Sequence, residues 1–467
     1  MERVVITGLG AITHIGKKTM EYWNKLLNGD SGADKITRFD TTNFKTKFAC
    51  EIKNYEALDY FDRKEARKMD RFTQYGLICV DEAVKDAELD FSKLNVNRIG
   101  VIFSSGIGGF ETFEHEVIDY AKGNFQPKFN PFFITKIISN GLSGIISINY
   151  GLRGVNYCPV TACASSTQSI IQAFNYIRLG KADIVITGGS EAPITASSIG
   201  GFNAMKAMST NNENFGTASR PFDKSRDGLV VGEGAGALIV ESLGSAIKRG
   251  AKIYAEIVGG GESSDAYHIT GTHPEGTGAF LAMREGIKEA NLNPNNIDYV
   301  NAHATSTGLG DLSEIKAMEK LFSSNLDKIQ VSASKPMTGH LWGGTGAIEA
   351  ISTCLSVKTD LIPPTINTTE IDENIPKELN LSLGSKAFSK TVNYALSNSF
   401  GFGGHCATYL GKEVGYVVDY HGLSDSLKEA LDMFSSEDVE GTYHTLKDEI
   451  PRLKAAHTRV AQVFSTL

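Results

Sequence analysis

No stretch of the 467-residue sequence reaches the roughly 18 uninterrupted apolar positions that a membrane-spanning helix needs. Basic charge is also short. There are 46 Lys and Arg against 54 Asp and Glu, a formal net charge of −8, which argues against a general nucleic-acid binder. It leaves room for a local basic patch. Cysteines number six, and the spacing of Cys50, Cys79, Cys158, Cys163, Cys354 and Cys406 fits neither a metal knuckle nor a disulfide framework. A reducing cytoplasm is the expected compartment. The opening MERVVITGLGAIT has no basic region before a long apolar run, so it reads as a first strand and not as a leader.

Glycine is plentiful, with 48 residues in a chain that is 41% hydrophobic and 21% charged. That is the composition of a globular α/β protein with tight loops. The length exceeds one ordinary core and calls for several domains or one duplicated unit. The runs VVITGLG, RIGVIFSSG, ADIVITGGS and GALIVES read as buried strands alternating with helical patterns. An internal echo favours duplication. The segment GVNYCPVTACASSTQSIIQAF is strand, loop, then a helix opening on tiny residues, and KIQVSASKPMTGHLWGGTGAIEAI repeats that design. The expected halves are 1–250 and 251–411. From Glu413 onward 5 basic residues face 10 acidic ones. Leu423, Leu427, Leu431 and Phe434 recur there at helical spacing, which predicts a helical extension over 412–467.

Cys163 stands among Ala162, Ala164, Ser165 and Ser166, at the expected start of a helix. A helix N-terminus carries about half a positive charge and stabilises a thiolate. Its free N–H groups can also donate to an oxyanion. The same pattern suits a buried structural cysteine. His303 in NAHATSTGLGD, and Lys335 with His340 in SASKPMTGHLWGGTGAIEA, each lie in small-residue loops between a strand and a helix.

Together with NSFGFGGHCATYL and RPFDKSRDGLVVGEGAG, these motifs closely resemble the β-ketoacyl-[acyl-carrier-protein] synthases of the condensing-enzyme family. The likeness spans residues 1 to about 411 and is nearest to the fatty-acid-elongating type II branch. It implies a thiolase fold, with two βαβαβαββ halves in five layers (α/β/α/β/α), and a homodimer. It implies no metal and no cofactor of the enzyme's own, since phosphopantetheine arrives on the acyl carrier protein. Acyl and malonyl thioesters are the implied substrates, with no nucleic-acid or membrane partner.

The resemblance also implies roles. Cys163 takes the acyl group, while His303 and His340 drive malonyl decarboxylation. Lys335 supports His303 and pairs with Glu349. Phe400, with Phe402 in the same motif, gates the site, and the N–H groups of Cys163 and Phe400 form an oxyanion hole. Thr305 and Thr307 hold the pantetheine arm, and Ile107 and Phe202 line the acyl pocket. Lys64, Arg67, Lys68, Lys128 and Lys206 form a basic rim for the acidic carrier protein. Gly308 stands where relatives often have proline. A polyketide-type ketosynthase shares this pattern. A thiolase has a second cysteine where His340 stands, and a non-catalytic partner subunit lacks the nucleophile. The stretch VVDYHGLSDSLKEAL weakly resembles part of the motor subunit of type I restriction enzymes, and alone supports reading the chain as an interaction or fusion protein.

Overall fold

The structure is a computed structural model and describes residues 1–414. The expected helical extension and its restriction-enzyme likeness fall on residues outside the described ones, apart from 412–414. Lys412 itself ends the last strand, opposite Glu256, and its ammonium reaches that carboxylate at 3.1 Å.

The first half contributes β1 (Val4–Thr13), β2 (Ile99–Ser104), β3 (Asn156–Tyr157), β4 (Ile184–Glu191) and β5 (Gly234–Ser242). The second contributes β6 (Ala255–Ser264), β7 (Tyr299–Asn301), β8 (Gln330–Ser332), β9 (Asn380–Leu381), β10 (Tyr394–Gly401) and β11 (His405–Lys412). The four apolar runs singled out in the sequence are thus all strands. The main helices are α1 (Arg71–Asp86), α2 (Gly141–Tyr150), α3 (Ser165–Arg178), α4 (Thr277–Glu289), α5 (Gly308–Leu321) and α6 (Thr345–Thr359).

These eleven strands form one mixed sheet in the order β9-β8-β7-β10-β11-β6-β1-β5-β4-β2-β3. The duplication is legible strand by strand. In the first half β1 and β5 are antiparallel, as are β5 and β4, while β4, β2 and β3 run parallel. The second half repeats this with β6, β11, β10, β7 and β8. The first half follows the βαβαβαββ order, and the second repeats it with the short edge strand β9 inserted before β10, the thiolase fold. The halves join where Val4 pairs Ile257 and Ile6 pairs Ala255 in antiparallel register.

Helices α3 and α6 lie between the two halves of the sheet and touch strands of both, while α1 and α4 cover the outer faces. Helix α6 is buried on every side from Thr345 to Val357, as a middle layer demands. Helix α1 packs hard on β1. A Cβ at Gly10 would stand 1.9 Å from the Cys79 carbonyl oxygen, so only glycine permits that approach. Asp70 caps α1 by accepting the Phe72 N–H at 3.2 Å, and Phe72, Tyr75, Cys79, Val80 and Ala83 form its buried face. No helix among the described residues is long and apolar enough to cross a membrane.

The echo seen in the sequence becomes a pair of matching elbows. After β3 the chain makes a single 3-10 turn, Ala162–Ala164, and enters α3; before α6 the turn Trp342–Gly344 does the same. Ala162 and Trp342 hold φ of 50° and 47°, left-handed values for residues with a Cβ. Each costs of order 1–3 kcal/mol, and such strain collects at functional sites. The two elbows touch.

Candidate active site

Cys163 occupies the first elbow. Gly401, at the end of β10, makes room for it: a Cβ there would lie 2.9 Å from the Cys163 nitrogen and 2.8 Å from the Thr161 carbonyl oxygen. His303 follows β7, in a loop where Ala304 and Ser306 also hold positive φ, 29° and 67°. His340 precedes the second elbow. Its N–H donates to the Val230 carbonyl at 2.7 Å and its carbonyl accepts from Gly232 at 2.9 Å.

Three separate stretches of sequence therefore meet. The Cys163 sulfur and one nitrogen of each imidazole lie within 4.8 Å of one another. The two imidazole rings sit 5.4 Å apart at 85°. All three residues are buried around a cavity of about 390 Å³ that Phe400, Thr305 and Thr307 also line. The Phe400 ring stands edge-on to His303 at 5.7 Å, and the two threonine hydroxyls are 3.0 Å apart. Lys206 lines the same cavity and is exposed.

Burial sets the electrostatics. It holds both imidazoles well below their ordinary pKa, with the Lys335 ammonium acting in the same direction. Both are neutral at pH 7. His340 Nδ1 lies 2.8 Å from the Thr345 hydroxyl at the start of α6. Lys335, 1% exposed, is tied to Glu349 at 2.7 Å, and Ser334 donates to the same oxygen at 2.9 Å. Removing one partner of such a pair costs about 3–5 kcal/mol, because the other charge is stranded.

The structure corrects several expectations. Cys163 was expected to be a stabilised thiolate, but burial pushes its thiol up to about 12 and outweighs the nearby Lys335 charge, so the residue is a neutral thiol at pH 7. The backbone N–H groups that face its sulfur are its own and that of Phe402, not Phe400. Gly401 brings the chain so close to the elbow that the next residue's amide turns inward, while the Phe400 side chain packs on His303. Ile107 and Phe202 stand outside the lining of this cavity. Ile107 donates its N–H at 3.2 Å to buried Glu191, whose carboxyl burial pushes up to about 7; Phe202 stacks with Phe402 at 6.3 Å. Lys64, Arg67, Lys128 and Lys206 are exposed, but Lys68 is engaged by Glu65 at 2.6 Å.

Sequence reasoning missed the groups that hold the histidine loop. Glu314 on α5 accepts the N–H of His303 at 2.9 Å and of Ala304 at 2.8 Å, and Asn398 donates to it at 3.0 Å. Asp311, one turn earlier, accepts from Ser306 and Phe222 at 3.1 and 3.0 Å. The available signal was two carboxylates on the α5 face that also carries buried Ile315 and Met318. Arg226 explains part of the RPFDKSRDGLVVGEGAG motif: its guanidinium donates to the Thr307 carbonyl at 3.2 Å, to the Gly308 carbonyl at 2.9 Å and to Asp372 at 2.9 Å.

Gly308 is the first residue of α5, and a Cβ there would meet nothing within 4 Å. Thr307 before it is extended, φ −96° and ψ 143°, the conformation a following proline requires. Proline suits this helical position. Gly308→Pro is expected to stabilise the protein by about 0.4–1 kcal/mol through the unfolded chain. A rise in melting temperature checks it, and a fall means the loop does not have this geometry.

A buried cysteine with two neutral imidazoles, set in a duplicated α/β fold with a cavity above an elbow, defines a condensing enzyme of the thiolase class. Comparison with known proteins agrees. The profile of the beta-ketoacyl synthase N-terminal domain matches residues 1–246, and that of the C-terminal domain matches 254–369. The chain is 47% identical over 415 residues to a 3-oxoacyl-[acyl-carrier-protein] synthase 2 of Staphylococcus aureus (strain COL), covering 88% of this chain and 98% of that protein. It is 44% identical over 409 residues to a protein of the same name from Synechocystis, covering 87% and 97%. Among solved structures, a beta-ketoacyl synthase from Burkholderia phymatum aligns with TM-score 0.81 and 31% identity, over 89% of this chain and all of that one. A type II polyketide ketosynthase, solved in complex with its acyl-carrier protein, aligns with TM-score 0.82 and 30% identity over the same shares. The chain belongs to the beta-ketoacyl synthase family.

Proposed function

We propose that the chain is a 3-oxoacyl-[acyl-carrier-protein] synthase of fatty-acid elongation, an acyltransferase that joins carbon to carbon by decarboxylative Claisen condensation. The observation that carries this reading is the convergence of Cys163, His303 and His340 on one cavity.

In the first half-reaction the Cys163 sulfur attacks the acyl thioester on the carrier protein. The oxyanion that forms is met by the N–H groups of Cys163 and Phe402, the two that face the sulfur. The thiol's proton leaves with the departing carrier thiol. Malonyl carrier protein then enters, its arm held by Thr305 and Thr307. Its carboxylate departs as CO2, and the electron pair moves onto the thioester oxygen. His303 and His340, neutral, each donate a hydrogen bond there. The enolate carbon attacks the acyl carbonyl on Cys163, the thiolate leaves and is protonated, and the 3-ketoacyl carrier protein is released. Phe400, lining the cavity against His303, gates the two half-reactions. Every step uses side chains and carrier-bound groups alone, with no cofactor held by the enzyme. Mass spectrometry after incubation with an acyl carrier protein thioester is expected to find one acyl group on the Cys163 peptide; an adduct on Cys158 alone refutes the assignment.

Neutral imidazoles predict a pH profile. Their pKa values lie below the ordinary 6.5, so malonyl decarboxylation is expected to stay flat from pH 8 down through 6.5 and to fall only lower. The unfolded chain takes up protons at these positions near pH 6.5 and the folded chain does not, so stability also declines as pH drops below that value. A descending limb centred on 6.5 contradicts the proposed neutral pair.

The partners proposed are the acyl carrier protein and a second copy of the chain. Lys64, Arg67, Lys128 and Lys206 are exposed cations without an acidic partner among the described residues. Charge reversal at Lys206 is expected to raise the KM for carrier-bound substrate several-fold, with steep salt dependence and little change in kcat. Unchanged kinetics there removes the patch. For the homodimer, Phe113, Phe125, Phe129, Phe132 and Ile134 form an exposed apolar segment, and β3 leaves one edge of the sheet open. A sedimentation mass of one chain refutes it.

A further inference from the structure

We propose that Cys163, His303 and His340 also form a reversible, inhibitory binding site for a soft divalent cation, with Zn²⁺ as the case to test. The donors are one thiol sulfur and two imidazole nitrogens, the set that zinc prefers, and all lie within 4.8 Å of one another. In a tetrahedral site, with Zn–S near 2.3 Å and Zn–N near 2.0–2.1 Å, neighbouring donor atoms are about 3.4–3.6 Å apart. The trio needs to close by little more than about 1 Å, and the rest of the coordination shell opens on the cavity of about 390 Å³.

The surroundings support metal ligation. An imidazole that binds a metal through one nitrogen carries its proton on the other, and that proton needs an acceptor. The Thr345 hydroxyl, 2.8 Å from His340 Nδ1, supplies one. His303 Nδ1 is buried with no hydrogen-bond partner among the described residues, so no existing bond breaks if it is the nitrogen that ligates. The neighbouring cation is Lys335, and Glu349 at 2.7 Å offsets its charge. As the S–Zn bond forms, the Cys163 proton passes to solvent, and nothing is oxidised or reduced. The metal commits the sulfur lone pair that would attack an acyl group and the imidazole nitrogens that would face the enolate. Both half-reactions stop until a chelator removes it. Binding does not depend on the proposed function; only its inhibitory consequence does.

The test titrates the full-length protein with Zn²⁺ against a chromogenic chelator. One tight equivalent per chain is expected, with alkylation of Cys163 by iodoacetamide slowed more than about tenfold and restored by EDTA. Cys163→Ser and His340→Ala are each expected to weaken binding at least about tenfold. Protein already alkylated at Cys163 keeps the native sequence, so its loss of the tight site is the control for misfolded variants. Tight binding that survives alkylation, or that leaves the alkylation rate unchanged, overturns the site. Tight binding with full condensing activity overturns the inhibition.

Discussion

Cys163→Ala is expected to abolish acyl uptake and condensation, a loss of at least about 10⁴-fold, while malonyl decarboxylation continues. The thiol is the one group placed to form the thioester, and its sulfur faces two backbone N–H groups that stay in place when the side chain is cut to a methyl. The fold should barely notice. The elbow is set by Ala162 at φ 50°, by the close approach of Gly401 and by the Ser165 hydroxyl, which donates to the Ala162 carbonyl at 2.6 Å and accepts the Thr161 N–H at 2.9 Å. Decarboxylation persists because both imidazoles and their supports are untouched. The measurements are transfer of radiolabelled acyl groups to the protein and release of CO2 from malonyl carrier protein. Residual condensation at a tenth of the native rate sinks the nucleophile, and loss of both reactions together means the variant has collapsed the cavity.

His303→Ala and His340→Ala are each expected to lower decarboxylation by about 10²–10³-fold, the effect of removing one donor to a developing oxyanion, or about 2.7–4 kcal/mol. Acylation of Cys163 should fall much less. The backbone around each residue is held independently of its ring: His303 by Glu314, and His340 by Val230 and Gly232. Each variant therefore keeps its loop. The two losses should not add, because both rings serve the same oxygen. Native melting temperatures together with a selective loss of CO2 release support the assignment. Equal losses in both half-reactions contradict it and point to a structural role. Lys335 is a poorer probe, since its removal strands the buried Glu349 carboxylate and destabilises the fold directly.

Much of this protein was readable along the chain. The continuous apolar runs of β1, β2, β4 and β5 mark strands buried on both faces, a signal confined to neighbouring residues. The repeated strand–loop–small-residue pattern around Cys163 and His340 exposed the duplication, since each half must build the same elbow. Cys163, His303, His340 and Lys335 stood out because small residues cluster wherever loops converge. What the sequence by itself determined is therefore the layered α/β class and the internal repeat, because each rests on periodicity or composition within a few turns of chain; the candidate reacting groups were legible through their resemblance to the family's motifs.

Only the tertiary structure decided the state and surroundings of those groups. A helix start at Cys163 predicts a thiolate, but the layers above it exclude water and desolvation wins. One residue separates Phe400 from Phe402, and which amide turns toward the sulfur depends on the approach of β10 to an elbow more than two hundred residues away in sequence. Glu314, Asp311 and Arg226 look like ordinary surface charges until the fold buries them against the carbonyls and amides of the histidine loop. Pairing across such distances leaves no periodic trace in the sequence, and burial, which keeps the Cys163 thiol and both imidazoles neutral, is a property of the assembled layers.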